Sequence, residues 1–206
     1  MTKLLHIDSS GKGSQSTTRP LTNYFSTKWR EANPAGEIVY RDLTESHLPY
    51  VNGELIGAFY TPKDQLDEAK KLLLEQPDQL FEELRIADTY VFGVPLYNFG
   101  VPAVFKAYID LIVRPGTTFS FEGDKPNGLL ANKKAYIVTA SGGDYSEQPL
   151  KSLDFVEPYV RAILGFVGIT DVTFIRANGN DPTTIATTSD SAKKTIDSLF
   201  QLAEAR

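Results

Sequence analysis

The chain has no cysteine, and only two histidines, one methionine and one tryptophan among its 206 residues. Without thiols there can be no disulfide framework, CxxC redox pair, thiolate-held zinc, iron–sulfur cluster or cysteine nucleophile. With only His6 and His47, a histidine-rich metal site or a histidine-based catalytic triad is hard to assemble, and no bound metal is expected. A basic run is missing too. Lys and Arg number 21 against 26 Asp and Glu, a formal charge of −5, which makes nucleic acid and anionic membranes poor partners. No apolar stretch approaches the roughly 20 residues needed to span a bilayer. The apolar start, Leu4-Leu5 and Ile7 interrupted by His6 and ended by Asp8, is too short for a secretory leader. The expectation is a cytoplasmic protein with no membrane and no nucleic-acid partner.

What is present is enough apolar material, 41% of the chain, to bury a core without disulfide or metal staples. Short apolar runs alternate with longer helical patterns throughout, and no linker or repeat divides residues 1–206, which are expected to form one domain. Strands are predicted at 3–8, 37–41, 89–94, 134–140 and 171–176. Helices are predicted from just after Thr18 to about Ala32 and from about Glu157 to Phe166, with a last amphipathic helix carrying Ala192, Ile196, Leu199, Phe200 and Ala203. Another starts after Gly100-Val101-Pro102, with Phe105, Tyr108, Ile109 and Ile112 spaced i, i+3, i+4, i+7 along one face. Thr61-Pro62 reads as a helix start, with Thr as N-cap and Asp64 in the first turn, and Pro77 should kink or restart that helix. Residues 42–60 read as a long loop with one helical turn, and Thr118 to Phe121 as a short edge hairpin. Strands separated by helices give βαβ units, hence a parallel sheet with right-handed crossovers and helices on both faces. In such a sheet, ligands bind at the carboxyl ends of the strands, beside the switch in strand order. The loops after the first, third and fourth strands are therefore the candidates.

The first of these, Ser9 to Thr18, holds four serines and two threonines and leads into a helix N-terminus, whose free N–H groups and dipole favour an anion. Ser and Thr also cap helices in ordinary loops; the position after the first strand turns the reading toward a phosphate monoester. The same residues nearly spell a dinucleotide fingerprint, with Gly11, Gly13 and Ser16 and an acid, Asp42, at the end of the second strand. The third glycine is missing, however, and Asp42 comes about thirty residues on where ~20 is usual. The second loop, Pro95 to Pro102, puts Tyr97 and Phe99 around Asn98, an arrangement suited to a flat heteroaromatic ring with polar edges. The third, Thr139 to Tyr145, contains Gly142-Gly143, where backbone N–H groups can approach a ligand closely. Of the remaining unusual side chains, His6 reads as a core or strand-edge residue, His47 as a loop residue and Trp29 as helix packing.

Taken in order, these residues resemble the FMN-dependent NADH azoreductases, a branch of the flavodoxin-like quinone reductase superfamily. The resemblance is carried by Ser9-Ser10 with Ser14-Gln15-Ser16, by Pro95-Leu96-Tyr97-Asn98-Phe99 and by Ser141-Gly142-Gly143. It extends to 110–114 with 116–119 and to 164–172, so it spans nearly the full length. It implies a flavodoxin-like three-layer α/β/α fold with a five-stranded parallel sheet in the order 2-1-3-4-5. It also implies a homodimer with its active sites at the interface and FMN bound in each. By this analogy Ser10, Ser14, Gln15 and Ser16 hold the phosphate and ribityl chain. Leu96, Tyr97, Asn98 and Phe99 line the ring system, and Ser141, Gly142 and Gly143 bond its pyrimidine edge, with Pro95 and Ala140 completing the cofactor contacts. Phe121 and Phe166 match aromatic walls of the substrate pocket. The chain departs from the pattern around Ala58-Phe59-Tyr60, where related enzymes often carry an arginine; here none lies between Arg41 and Arg85.

The implied activity is reduction of quinones and azo compounds, small planar aromatic acceptors, by two-electron ping-pong hydride transfer from NADH or NADPH. Flavin N5, not a side chain, would carry the hydride, so the scarcity of Cys and His is no obstacle. Two other readings compete with this one. A flavodoxin-like electron carrier without its own substrate would need no acceptor pocket, and residues 42–60 and 115–130 argue for one. A nicotinamide dehydrogenase built on Gly11 and Gly13 would purify colourless.

Overall fold

The alternation of short apolar runs with amphipathic stretches folds as a βα series with one inserted hairpin. In chain order the elements are β1 (Lys3–Asp8), α1 (Thr18–Ala32), β2 (Glu37–Asp42), α2 (Gly53–Phe59), α3 (Glu68–Ile86), β3 (Thr89–Gly93) and α4 (Ala103–Ile112). The hairpin β4 (Phe119–Glu122) and β5 (Lys125–Gly128) follows, then β6 (Lys134–Ser141), α5 (Val156–Phe166), β7 (Asp171–Asn178) and α6 (Pro182–Glu204). The computed structural model describes residues 1–145 and 147–204, without the side chains of 202–204, so Ala203, expected on the stripe of the last helix, lies outside the described side chains.

Five strands form one parallel sheet in the order β2-β1-β3-β6-β7. With every strand numbered along the chain this is not 2-1-3-4-5, because the hairpin takes the fourth and fifth places. That hairpin is not at a sheet edge either: β4 and β5 pair antiparallel as a separate two-stranded sheet. The inner strands β1, β3 and β6 are largely buried and mostly apolar because both faces are covered, while the edge strands β2 and β7 carry more polar and half-buried residues. Their period-two alternation divides the core. Leu4, Val91, Val138 and Ile175 pack against Leu21, Phe25 and Trp29 of α1 and Ala192 and Ile196 of α6. Leu5, Ile7, Tyr90, Phe92 and Ile137 point the other way, into a larger cluster with Leu80 and Leu84 of α3, Phe105 and Tyr108 of α4, and Val160 and Leu164 of α5.

Two helix readings are corrected. Thr61-Pro62 does not open α3: residues 63–65 make an isolated 3-10 turn, and Asp67 caps the helix by accepting the Lys70 N–H at 2.8 Å. Thr61 instead turns its hydroxyl back onto the Gly57 carbonyl at the end of α2, at 2.7 Å. Nor does Pro77 restart the helix. α3 runs unbroken through it, with the ring buried against the core, where apolar contact offsets the lost backbone bond. Within residues 42–60 the helical part is α2, seven residues long where one turn was expected.

Candidate functional site

The chain passes from β1 to β2 on one side and then to β3 on the other, so the switch in strand order lies between β1 and β3. Ser9 joins the two strand ends: its backbone N–H and hydroxyl both donate to the Gly93 carbonyl, at 3.1 and 2.6 Å. Gly93 must be small, since a Cβ there would lie 2.7 Å from Asp8 Oδ1. Above these ends opens a cavity of about 370 Å3 walled by loops leaving β1, β3, β6 and β7.

Most of the expected residues meet in this wall. Ser10, Gln15 and Ser16 line it from the first loop, Pro95, Leu96 and Tyr97 from the second, and Ala140, Ser141 and Gly142 from the third. The first two loops are joined side chain to side chain, Ser10 Oγ lying 3.1 Å from the Tyr97 hydroxyl. In the third, the Ser141 hydroxyl lies 2.7 Å from the Gly143 carbonyl and 2.8 Å from Asn178 Oδ1, one proton between two acceptors. Four of the expected residues are elsewhere. Ser14 is exposed in a short 3-10 turn, residues 13–15, outside the wall. Asn98 and Phe99 lie just past it in left-handed conformation, with φ of 49° and 70°. These are unusual values for side-chain-bearing residues, and such strain gathers at functional turns. Gly143 borders a neighbouring cavity of about 400 Å3 that shares Gly142, Gly179 and Asn180 with the first.

Phe121 and Phe166 also stand outside the cavity wall, but the fold brings them together. Phe119 lies 5.6 Å from Phe121 and 4.6 Å from Phe166 between ring centroids, making a continuous aromatic edge from β4 to the end of α5. Sequence reasoning missed Gly179, Asn180 and Ile185, which reach the cavity from the loop after β7 and the start of α6. Their signal was the small polar stretch Asn178-Gly179-Asn180-Asp181 before a proline, which resembles the loops after the other strands.

The electrostatics at the α1 end suit an anion. Asx side chains cap the N-termini of α2, α3, α5 and α6, through Asn52, Asp67, Asp154 and Asp181. α1 has no acid in its first turn, and its cap is a neutral hydroxyl, Ser16 Oγ accepting the Arg19 N–H at 3.2 Å. Pro20 falls in that first turn, where its missing N–H costs no helical bond. The described residues lining the cavity include Lys12 and no carboxylate. Asp42, the acid of the near-match to a dinucleotide fingerprint, is occupied. Arg19 grips both its oxygens, at 2.5 and 2.9 Å, and the Thr44 N–H and hydroxyl donate to it as well. Burial works against charge on Asp42, but these bonds outweigh it and hold the carboxyl below its usual range, while the same pairing raises Arg19. Beside them, burial and then the charges of Asp8 and Asp42 push the Tyr40 phenol up to about 12. It therefore stays neutral and donates to Asp8 Oδ2 at 3.2 Å. With Asp42 committed, the dinucleotide reading loses its acid.

A parallel α/β sheet with a hydroxyl-walled cavity at its switch point defines a flavodoxin-like domain. Residues 2–199 match the family described as flavodoxin-like fold. An FMN-dependent NADH:quinone oxidoreductase of Nostoc punctiforme is 46% identical over 179 residues, covering 86% of this chain and 87% of the relative. FMN-dependent NADH:quinone oxidoreductase 1 of Hahella chejuensis is 49% identical over 179 residues, 86% of this chain and 85% of that one. Among solved structures, an azoreductase from Bacillus anthracis superposes with a TM-score of 0.89 at 29% identity, covering 97% of this chain and 99% of the other. The chain belongs to the flavodoxin-like family and, within it, to the group of these FMN-dependent NADH:quinone oxidoreductases and azoreductases.

Proposed function

We propose that this chain is an FMN-dependent NADH:quinone oxidoreductase that also reduces azo compounds. The observation that carries the reading is the cavity itself. One end offers hydroxyls and an acid-free helix N-terminus, and the other offers Leu96, Tyr97 and the Ser141-Gly142 backbone. That polarity matches a phosphate at one end of a ligand and a flat ring with polar edges at the other. Bound FMN would supply the two-electron chemistry; the protein's part is to hold the ring, keep water from it and present a partner to its open face. Ser10, Gln15 and Ser16 would take the phosphate and ribityl end, joined by Thr17 and Thr18. Pro95, Leu96 and Tyr97 would back the ring, and Ala140, Ser141 and Gly142 would meet its pyrimidine edge. Ser14, Asn98, Phe99 and Gly143 sit close enough in the chain to contribute backbone N–H groups.

The aromatic edge of Phe121, Phe119 and Phe166 is suited to planar acceptors, and one shared slot for donor and acceptor requires them to bind in turn. Exposure of Phe121 at 61% and Phe155 at 55% favours a homodimer in which a second copy closes the slot, with residues 1–206 acting as one domain in each subunit. Among the described residues no helix is long and apolar enough to cross a membrane, and the acidic balance leaves the cytoplasm as the proposed location. The carrier reading is set aside because the relatives at 46–49% identity are named as oxidoreductases.

The test is the visible spectrum of the purified protein before and after NADH is added without oxygen. A yellow protein that NADH bleaches directly to the two-electron state is expected. A persistent one-electron spectrum would favour a carrier, and a colourless protein that takes up no added FMN would overturn the site.

A further inference from the structure

Arg19 lies beneath the serine-rich loop and uses its whole guanidinium fork. Nη2 and Nε donate to the Ser10 carbonyl at 2.9 and 3.3 Å, while Nη1 and Nη2 hold Asp42 Oδ2 and Oδ1 at 2.5 and 2.9 Å. Nη2 also reaches Thr44 Oγ1 at 3.3 Å, and Nη1 the Tyr40 hydroxyl at 3.4 Å. One planar group thus ties the exit of β1, the end of β2 and the first turn of α1 together.

The cluster is not a source of positive charge. Asp42 and, at 4.0 Å, Asp8 face the single guanidinium, so its field toward an anion above the loop is neutral to negative. What it can do is geometric. A peptide is planar and trans, so drawing the Ser10 carbonyl onto Arg19 turns the Gly11 N–H to the opposite side and fixes the residue whose hydroxyl lines the cavity. The fork geometry is specific to Arg; a lysine is a point charge on a flexible stem.

We propose that Arg19 and Asp42 form a clamp that positions the loop of residues 10–16 for a phosphomonoester by shape and not by charge. The inference rests on the reading of the cavity as an FMN site. Shape and charge predict opposite signs for one substitution, Asp42→Asn, which removes a negative charge beside the loop but loosens the clamp.

The experiment measures dissociation constants of the flavin-free protein for FMN and for riboflavin, which lacks the phosphate, in wild type, Asp42→Asn and Arg19→Lys. A clamp predicts that both variants bind FMN about tenfold or more weakly, while riboflavin changes by no more than about twofold. Tighter or unchanged FMN binding in Asp42→Asn overturns the clamp, because charge would then decide. Parallel weakening of both ligands also overturns it, since that marks a general structural role. If Asp42→Asn does not fold, the charge-preserving Arg19→Lys carries the same comparison. A wild-type chain that takes up neither flavin overturns the cofactor reading, and the clamp with it.

Discussion

At the scale of single residues, the contact between Ser10 and Tyr97 is a direct side-chain join between two cavity loops that lie 87 residues apart in sequence. It is a neutral bond in a partly buried place, worth about 0.5–1.5 kcal/mol. Tyr97→Phe keeps the ring and removes only the join, so it should raise the dissociation constant for FMN by about two- to tenfold without altering the fold. Flavin fluorescence titration reads this directly, and an unchanged constant would mean the two loops hold their places without the bond. Tyr97 and Ser10 were legible in the sequence because each sits just past a recognisable apolar strand. The Arg19–Asp42 pair was not, for a physical reason. Their closeness depends on register, with Asp42 paired to Asp8 across β2 and β1, and nothing local to either residue encodes that register. The sequence offered Asp42 only as the acid of a weak dinucleotide near-match; the fold gives it to an arginine.

At the scale of elements, apolar strands buried on both faces were read nearly to the residue, because a buried parallel strand has one strong signature. Helix starts were read less well. Thr61-Pro62 has good capping chemistry, yet Asp67 lies just downstream with a carboxylate able to take the Lys70 N–H, and the later cap wins. The hairpin was foreseen as a local alternation, but its docking was not, since that depends on two glycines far apart in sequence. A Cβ on Gly128 would meet the Gly168 backbone nitrogen at 2.2 Å, and the Leu130 N–H donates to the Val167 carbonyl at 2.9 Å alongside. This backbone contact holds β4 and β5, and with them Phe121, against the end of α5. Gly128→Ala should therefore cost roughly 1–3 kcal/mol or more, lowering Tm by at least about 2–4 °C in a chain this long. Gly57→Ala makes the contrast. It sits in α2 with nothing near the added carbon, so it should leave Tm unchanged or raise it slightly. A thermal melt of both variants checks the pair, and equal Tm values would show that the hairpin is held some other way.

At the scale of the whole molecule, the three layers bury the sheet but leave aromatic surface along one set of loops. Tyr60 is 70% exposed and Phe121 61%, and Phe155 lies against the cavity loop through its N–H on the Phe99 carbonyl at 3.0 Å. Exposed aromatic side chains of this kind suit a contact with a second copy of the chain, as proposed above. Sedimentation should find a particle of two 22.8 kDa chains, and Phe155→Asp should shift it toward the single chain with a loss of retained flavin. A wild-type protein that sediments as a monomer at micromolar concentration would remove the second copy from the site. That surface was also the least legible property of the sequence, because exposure is decided only after the core has chosen its residues.

The strand order has a kinetic consequence. β1 must find β3 across eighty-five residues, as the register Leu4 to Thr89 requires, while β3 finds β6 across forty-five and β6 finds β7 across thirty-seven, from Thr89 to Lys134 and from Lys134 to Asp171. Closing long loops before their contacts form slows folding, and parallel sheets bear most of that delay. The cavity draws walls from the ends of β1, β3, β6 and β7, so it exists only when the last of these closures is made. A ligand that fits it can then recognise the finished fold and nothing earlier, and by mass action its binding holds the chain at the end of the folding route.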